Sequence, residues 1–479
     1  MQWIDRILVS SGMEKEFIRL AAAERGFDFS KASAKQASTF ARHSTLVLRT
    51  NVVGALMGLS VREFSSRLAD SMLMQWFLGV SKVDVIKPFS KSTKDRFGHW
   101  VGEQTMRAIN IKLIATLAGK DGNACAEALA LPESMDFTEV FFDSTCLKAN
   151  IHFPIDWVLL RDATRTLMKA VVLVRAAGLK VRMPQEPLAF LGDMNTLCMK
   201  MSAKWRSVDG KKQRKQVLRE MKRLEQRVAR HAKAHLDLLK TRREQTDLSE
   251  KQAALIITRI EGVLAQLPAA IKQAHERIIG ERKVANDQKI LSLYDDAINV
   301  VVRGKADAEV EFGNRLWLGE TRAGLIVDYK LCRDTSADTS LVEPAVKRLV
   351  EEQHLPVATV WGDRGLHSAK NEKMLGQKGI KSGLCPRAPS ELARRLADEP
   401  GFREGLKRRA STEARIGIFT NVFMGRPSRA KGFGHREIAV GWSVLTHNLW
   451  VVARLAEAER KRKEQALFKA LDAQRHRAA

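Results

Sequence analysis

Through most of the first 135 residues, apolar positions recur every three or four residues, the spacing of helices that bury one face. LSVREFSSRLADSMLMQWFLGV (59–80) shows the pattern most clearly. SKVDVIKPFSKSTKDRFGHWV follows as a polar break that leads into another helix, with Ser92 and Thr93 ahead of a basic start at Lys94. Residues 1–135 are therefore predicted to be all-helical. Helical pairs of this kind can seat a helix in a DNA groove, or can simply pack as a bundle.

The period changes at 137–150. FTEVFFDSTCLKAN has β-branched and aromatic residues around Asp143 and no helical repeat, which predicts a strand with Asp143 near its end. Helical spacing returns over 157–290. Its centre, 211–244, is a long basic helix with Val217, Leu224, Val228, Leu236 and Leu239 as apolar seam, and a second helix at 249–280 can fold back on it. Strand alternation resumes at about 308 in AEVEFGNRLWLGET, and LIVDYKLCRD (325–334) reads as its hairpin partner after Gly324. A helix follows at 341–353, with Asp338 and Ser340 near its start. VATVWG then reads as a buried strand that ends at Asp363. Beyond it come a helical turn at 368–376, a short strand in GIKSGLCPR, helices at 408–423 and 439–455, and a charged, basic tail at 456–479 that is expected to fray.

This order gives an α/β protein: a mixed sheet flanked by helices, an all-helical N-terminal domain (1–135), and a helical insertion (157–290) after the first core strand (136–156). The rest of the core occupies 291–455.

Composition sharpens the choice of partner. The chain of 479 residues carries 81 Lys and Arg against 55 Asp and Glu, a formal charge of +26. A polyanion is the economical partner, with DNA ahead of a ribosomal or membrane surface. There is no uncharged apolar run of 18 residues, and charge comes early at the N-terminus, so neither a membrane span nor a secretory signal is expected. The five cysteines are scattered without CxxC or zinc spacing, which fits reduced thiols and a cytoplasmic setting. His231 and His235 stand four apart but lack the HExxH glutamate, and read as part of a solvated basic face. No GxxxxGK[ST] loop and no CxxxxxR stretch supports a kinase or a phosphatase.

Ligands in open α/β sheets collect at the carboxyl ends of strands. If the strands ending at Asp143 and Asp363 are neighbours, their carboxylates meet, and Glu413 on the following helix can join them. Three converging carboxylates repel one another; a divalent cation relieves that, and hard oxygen ligands suit Mg²⁺, with Mn²⁺ as alternative. Taken singly, each acid has a plainer reading. Asp143 or Asp363 can cap a turn, and Glu413 can pair with Arg409 one turn earlier.

FFDSTCLKANIHFPIDWVLLRDATR (141–165), VEFGNRLWLGE (310–320), VWGDRGLHSAKNEKML (360–375) and STEARIGIFTNVF (411–423) together resemble bacterial insertion-sequence transposases of the DDE type. The resemblance implies an RNase H-like catalytic core, with Asp143, Asp363 and Glu413 as the catalytic, metal-holding triad. It also implies double-stranded DNA as partner (terminal inverted repeats and target), a homodimer across paired ends, no small-molecule substrate, and a nucleoid-associated cytoplasmic location. The family's helix pattern of Tyr, Arg, Glu and Lys is matched by Arg409 and Glu413, whereas Leu406 and Thr420 replace the Tyr and the Lys. Glu404 and Glu437 compete with Glu413 for the third place. Arg364, His367 and Arg409 are candidates for phosphate contacts, and Lys211, Lys212, Arg214 and Lys215 on the basic helix for a clamp on end DNA. That helix reads equally as a dimerisation hairpin. The rivals to a transposase are a non-catalytic descendant that only binds DNA, and a nuclease that cuts without joining.

Overall fold

The computed structural model of the protein describes residues 1–80, 89–119, 131, 135–203, 209–305, 308–425 and 427–478. Most of the polar break before the second N-terminal helix pair, at 81–88, and Cys125 lie outside the described residues. The protein is α/β, with a six-stranded mixed sheet flanked by helices. Its strands are β1 (Glu139–Lys148), β2 (Asn299–Lys305), β3 (Ala308–Thr321), β4 (Ile326–Leu331), β5 (Thr359–Gly362) and β6 (Lys381–Leu384). The chain divides into two compact units, Met1–Lys148 with Asn314–Ala479, and Ala149–Gly313.

The first unit holds the strand order β4-β3-β1-β5-β6. β5 runs parallel to both β1 and β6, and β4 is antiparallel to β3. Alternation along β1 explains how the layers form. Val140 and Phe142 point into a core shared with Phe17, Val53 and Ile109 of the N-terminal helices and with Val346 and Leu445. Phe141, on the opposite face, packs instead with Trp361 of β5 and Phe402. Phe402 opens the helix Phe402–Ile418, so this second face of β1 looks at that helix. The approach is close: a Cβ on Gly405 would stand 2.0 Å from the Trp361 ring, so only glycine lets the helix settle there.

The second unit is a helical bundle. Asp156–Ala176 packs against Pro187–Ala203, Gly210–Arg242 and Glu250–Ala274 around one core. All five predicted seam residues are buried, yet the seam is richer than predicted. Leu218, Met221, Glu225, Val228, Ala232, His235 and Leu239 follow one another at alternating three- and four-residue steps, and all are buried. His235 is therefore not on a solvated face. Its Nδ1 donates to the His231 carbonyl at 2.7 Å, and its Nε2 accepts the Val181 amide at 3.4 Å. Among the described residues, Glu250–Ile279 alone is a helix apolar and long enough by composition to cross a membrane. Here its Ala253, Ile256, Ile260, Val263 and Leu267 line the bundle core.

Several boundaries move. Strands resume at Asn299, not 308: β2 pairs with the start of β3, from Asn299 opposite Gly313 onward. The helix carrying Glu413 begins at Phe402 rather than 408, preceded by an unpredicted helix, Pro389–Asp398. The tail is no separate frayed segment, because one helix runs from Phe433 to Ala478, and Trp3 Nε1 donates to Glu457 on it. The helix expected to start at Lys94 starts at Lys91, capped by the Ser90 hydroxyl. Lys94 turns inward, with Nζ donating to Asn51 Oδ1 at 2.9 Å, and burial pulls its pKa down to about 8.

Candidate functional site

β1 pairs with β5 from Glu139 opposite Thr359 to Phe141 opposite Trp361. Asp143 and Asp363 each stand two residues beyond the last of these pairs, and Asp363 is near enough to help raise the Asp143 carboxyl. Asp143 is in mid-strand, not near the end of β1, because β3 continues along the other edge. What ends there is β5, and Asp363 is the first residue beyond it. The pair thus sits at the carboxyl mouth of β5, under the helix Phe402–Ile418.

That helix supplies the third acid. Burial first, and then the charges of Asp363 and Glu413, raise the Asp143 carboxyl to about 6, against a backbone hydrogen bond from Ser144 and the nearby Arg409. Asp363, from the end of β5, and Glu413, from one helix, are thus both near enough to Asp143 on β1 to act on it. Arg409 Nη1 stands 3.9 Å from Asp143 Oδ2. It thus reaches across the site to Asp143.

The acids are also held by their own backbone. Asp143 Oδ1 accepts the Ser144 amide at 2.7 Å, and Asp363 Oδ1 accepts the Leu366 amide at 3.2 Å. The turn-capping reading of Asp363 is thus correct for one oxygen, leaving the other for a second role. Glu413 is exposed on its helix. Among the described residues, no three His, Cys, Asp or Glu side chains are gathered closely enough to form a metal site. The donors fit a hard cation in kind: three carboxylates, one of them raised to about 6 by burial first and then by the other two.

Other candidates separate. Glu437 is influenced by Glu103, Arg333 and Arg107, away from Asp143. Glu404 is exposed near the helix start. Arg364 is exposed beside Asp363, and its carbonyl accepts from Arg387 Nε at 3.1 Å. His367 turns to Glu372, with Nε2 3.5 Å from Oε1. Leu406 packs with the Phe141, Trp361 and Phe402 cluster, and Thr420 is buried with its hydroxyl donating to the Ile416 carbonyl at 2.9 Å. In the bundle, Lys211 and Lys215 both pair with Glu281, at 3.3 and 2.7 Å, Lys212 is exposed, and Arg214 Nε donates to the Gly210 carbonyl.

One residue was missed. Glu320 on β3 is 4% exposed and lies 3.2 Å from Arg408, 2.8 Å from the Thr412 hydroxyl and 3.8 Å from Arg415. All three partners belong to the helix of Glu413, so Glu320 fixes that helix on the sheet. The signal was present: Leu316, Leu318 and Glu320 share one face of an alternating strand, and an acid in an apolar row needs a partner.

Comparison with known protein families, curated proteins and solved structures finds no match to this chain.

Proposed function

We propose that the protein is a DNA transposase of the DDE type with an RNase H-like core, in which Asp143, Asp363 and Glu413 carry metal-dependent phosphoryl transfer. The observation that supports it is the parallel pairing of β1 with β5 as far as Phe141 and Trp361, two residues short of Asp143 and Asp363, with Asp363 and Glu413 both acting on the Asp143 carboxyl. The mixed sheet with a helical insertion directly after its first strand is the arrangement this reading expects. The charge of +26 suits a DNA partner.

The three carboxylates would hold Mg²⁺, or Mn²⁺ in its place. Held there, it would supply activation of an attacking hydroxyl and offset charge on the leaving oxygen. The chain's own groups do the rest. Arg409 balances Asp143 between turnovers, the Leu366 amide orients Asp363, and Glu320 keeps the helix of Glu413 seated. Water attacks the phosphodiester at the element's end; a P–O bond forms as another breaks, leaving a 3′-hydroxyl. That hydroxyl attacks a target phosphodiester in turn, with no covalent protein intermediate. Two copies of the chain acting on paired ends, in the cytoplasm at the nucleoid, complete the reading.

A second reading is a transposase-derived protein that binds DNA without cutting it. It is favoured by Leu406 and Thr420, which face inward at positions where the family presents Tyr and Lys. A labelled fragment carrying the flanking DNA of the reading frame, a supercoiled target and Mg²⁺ separate the two. Cleavage and joined product from the wild type but not from Asp363→Asn support the transposase. Tight, salt-sensitive binding without cleavage by either protein supports the binder, and cleavage without joining supports a nuclease.

A further inference from the structure

Away from the carboxylates, the N-terminal helices enclose a pocket of about 590 Å³ walled by Phe27, Phe40, His43, Phe97 and Trp100. The rings are ordered against one another. Phe27 and Phe40 stack with centroids 4.2 Å apart, and His43 lies edge-on to Phe97 at 5.1 Å and 4.5 Å from Trp100. The Arg25 guanidinium covers the outer Trp100 ring at 3.7 Å, and the indole N–H of Trp100 is buried without a hydrogen-bond partner.

The rim has one sign of charge. Lys35 and Arg96 line the pocket and are exposed, and among the described residues no carboxylate lines it. Arg25 and Arg96 are near enough to His43 to help burial hold its imidazole below the usual value. Aromatic walls select a flat ring, because stacking is worth about 1–3 kcal/mol per base and tolerates any base. A cationic rim without acids selects an anion attached to that ring. Gln36, Thr39 and Thr93 add hydrogen-bonding groups that can serve different base edges. A plain core would close over its rings; this one leaves room for a ligand and places charge at its mouth.

We propose that this pocket takes one unpaired nucleobase of a DNA strand, stacked among the rings with the adjoining phosphate on Lys35 and Arg96. The assignment is independent of whether the carboxylate site is catalytic.

The test uses the full-length protein and a short single-stranded oligonucleotide with one 5-iododeoxyuridine. Irradiation should crosslink that base to Phe40, His43 or Trp100, as located by mass spectrometry. Thr39→Trp, an exposed position that fills the pocket without removing a packed side chain, should abolish the crosslink. Arg96→Ala should weaken strand binding about tenfold with unchanged circular dichroism, and an abasic site at the probe position should do the same. A crosslink that maps elsewhere, or that survives Thr39→Trp, overturns the proposal. So does equal affinity for the intact and the abasic strand. Displacement by micromolar dTMP, with no dependence on strand length, overturns it in favour of a free-nucleotide site.

Discussion

Two acids, one half-buried in the sheet unit and one buried in the bundle, make the most instructive pair in the molecule. Asp143 in the sheet unit and Glu225 in the bundle are both pushed up by burial, to about 6 and about 8. Their surroundings differ. Asp143 has two further carboxylates and Arg409 beside it, at the open end of β5. Glu225 is fully buried, with Oε1 accepting the Thr164 hydroxyl at 2.5 Å and Oε2 without a partner. Burial alone therefore does not mark a site. What distinguishes Asp143 is that acids from two further elements act on it.

Glu320 is a third case, an acid buried and matched by cations, and removing it should have the largest effect. Glu320→Ala leaves Arg408 without its carboxylate and should cost about 3–5 kcal/mol in urea unfolding, with Glu413 moving away from Asp143 as its helix loosens. An unchanged midpoint would remove Glu320 as the anchor of that helix. Next, Asp363→Asn should cut strand cleavage by on the order of 10²–10³-fold while end binding stays within a factor of two or so. Parallel loss of both would make Asp363 a structural cap.

Glu225→Gln probes the opposite pole of the comparison. The folded-state pKa of Glu225 is raised above its ordinary value, so its contribution is fully present below pH 4.5 and is lost as pH rises through about 8. Within that window the wild type should lose up to about 1.4 kcal/mol per pH unit from this group. The Gln variant should flatten the slope and be the more stable protein at pH 8, as read by thermal melts from pH 5 to 9. Equal slopes would mean that Glu225 finds a partner on ionising. The smallest effect belongs to Glu281. Glu281→Gln frees Lys211 and Lys215, and should steepen the salt dependence of DNA binding by about one to two charges if the basic helix touches DNA. No change assigns that helix to the bundle alone.

Much of this was legible in the sequence, and the misses have causes. β-Branched and aromatic residues without a helical repeat placed Asp143 on a strand, and the apolar run before Asp363 marked β5. Their register could not be read, because pairing is set by the layers on both faces of the sheet. β2 was passed over because Val300, Val301 and Val302 form a run without alternation beside an irregular stretch. Glu225 and His235 hid in a helix crowded with charge. The three-four spacing runs straight through them, beneath the surrounding Lys and Arg. The Gly405 approach to Trp361 was invisible, since a helical glycine shows its reason only when the facing ring is known.

The central claim is that Asp143, Asp363 and Glu413 share one divalent cation site. Mn²⁺ binding followed by electron paramagnetic resonance tests it without relying on activity. The wild type should bind Mn²⁺, and Asp143→Asn, Asp363→Asn and Glu413→Gln should each weaken that binding at least about tenfold. Equal Mn²⁺ binding by the wild type and the triple variant would contradict the account.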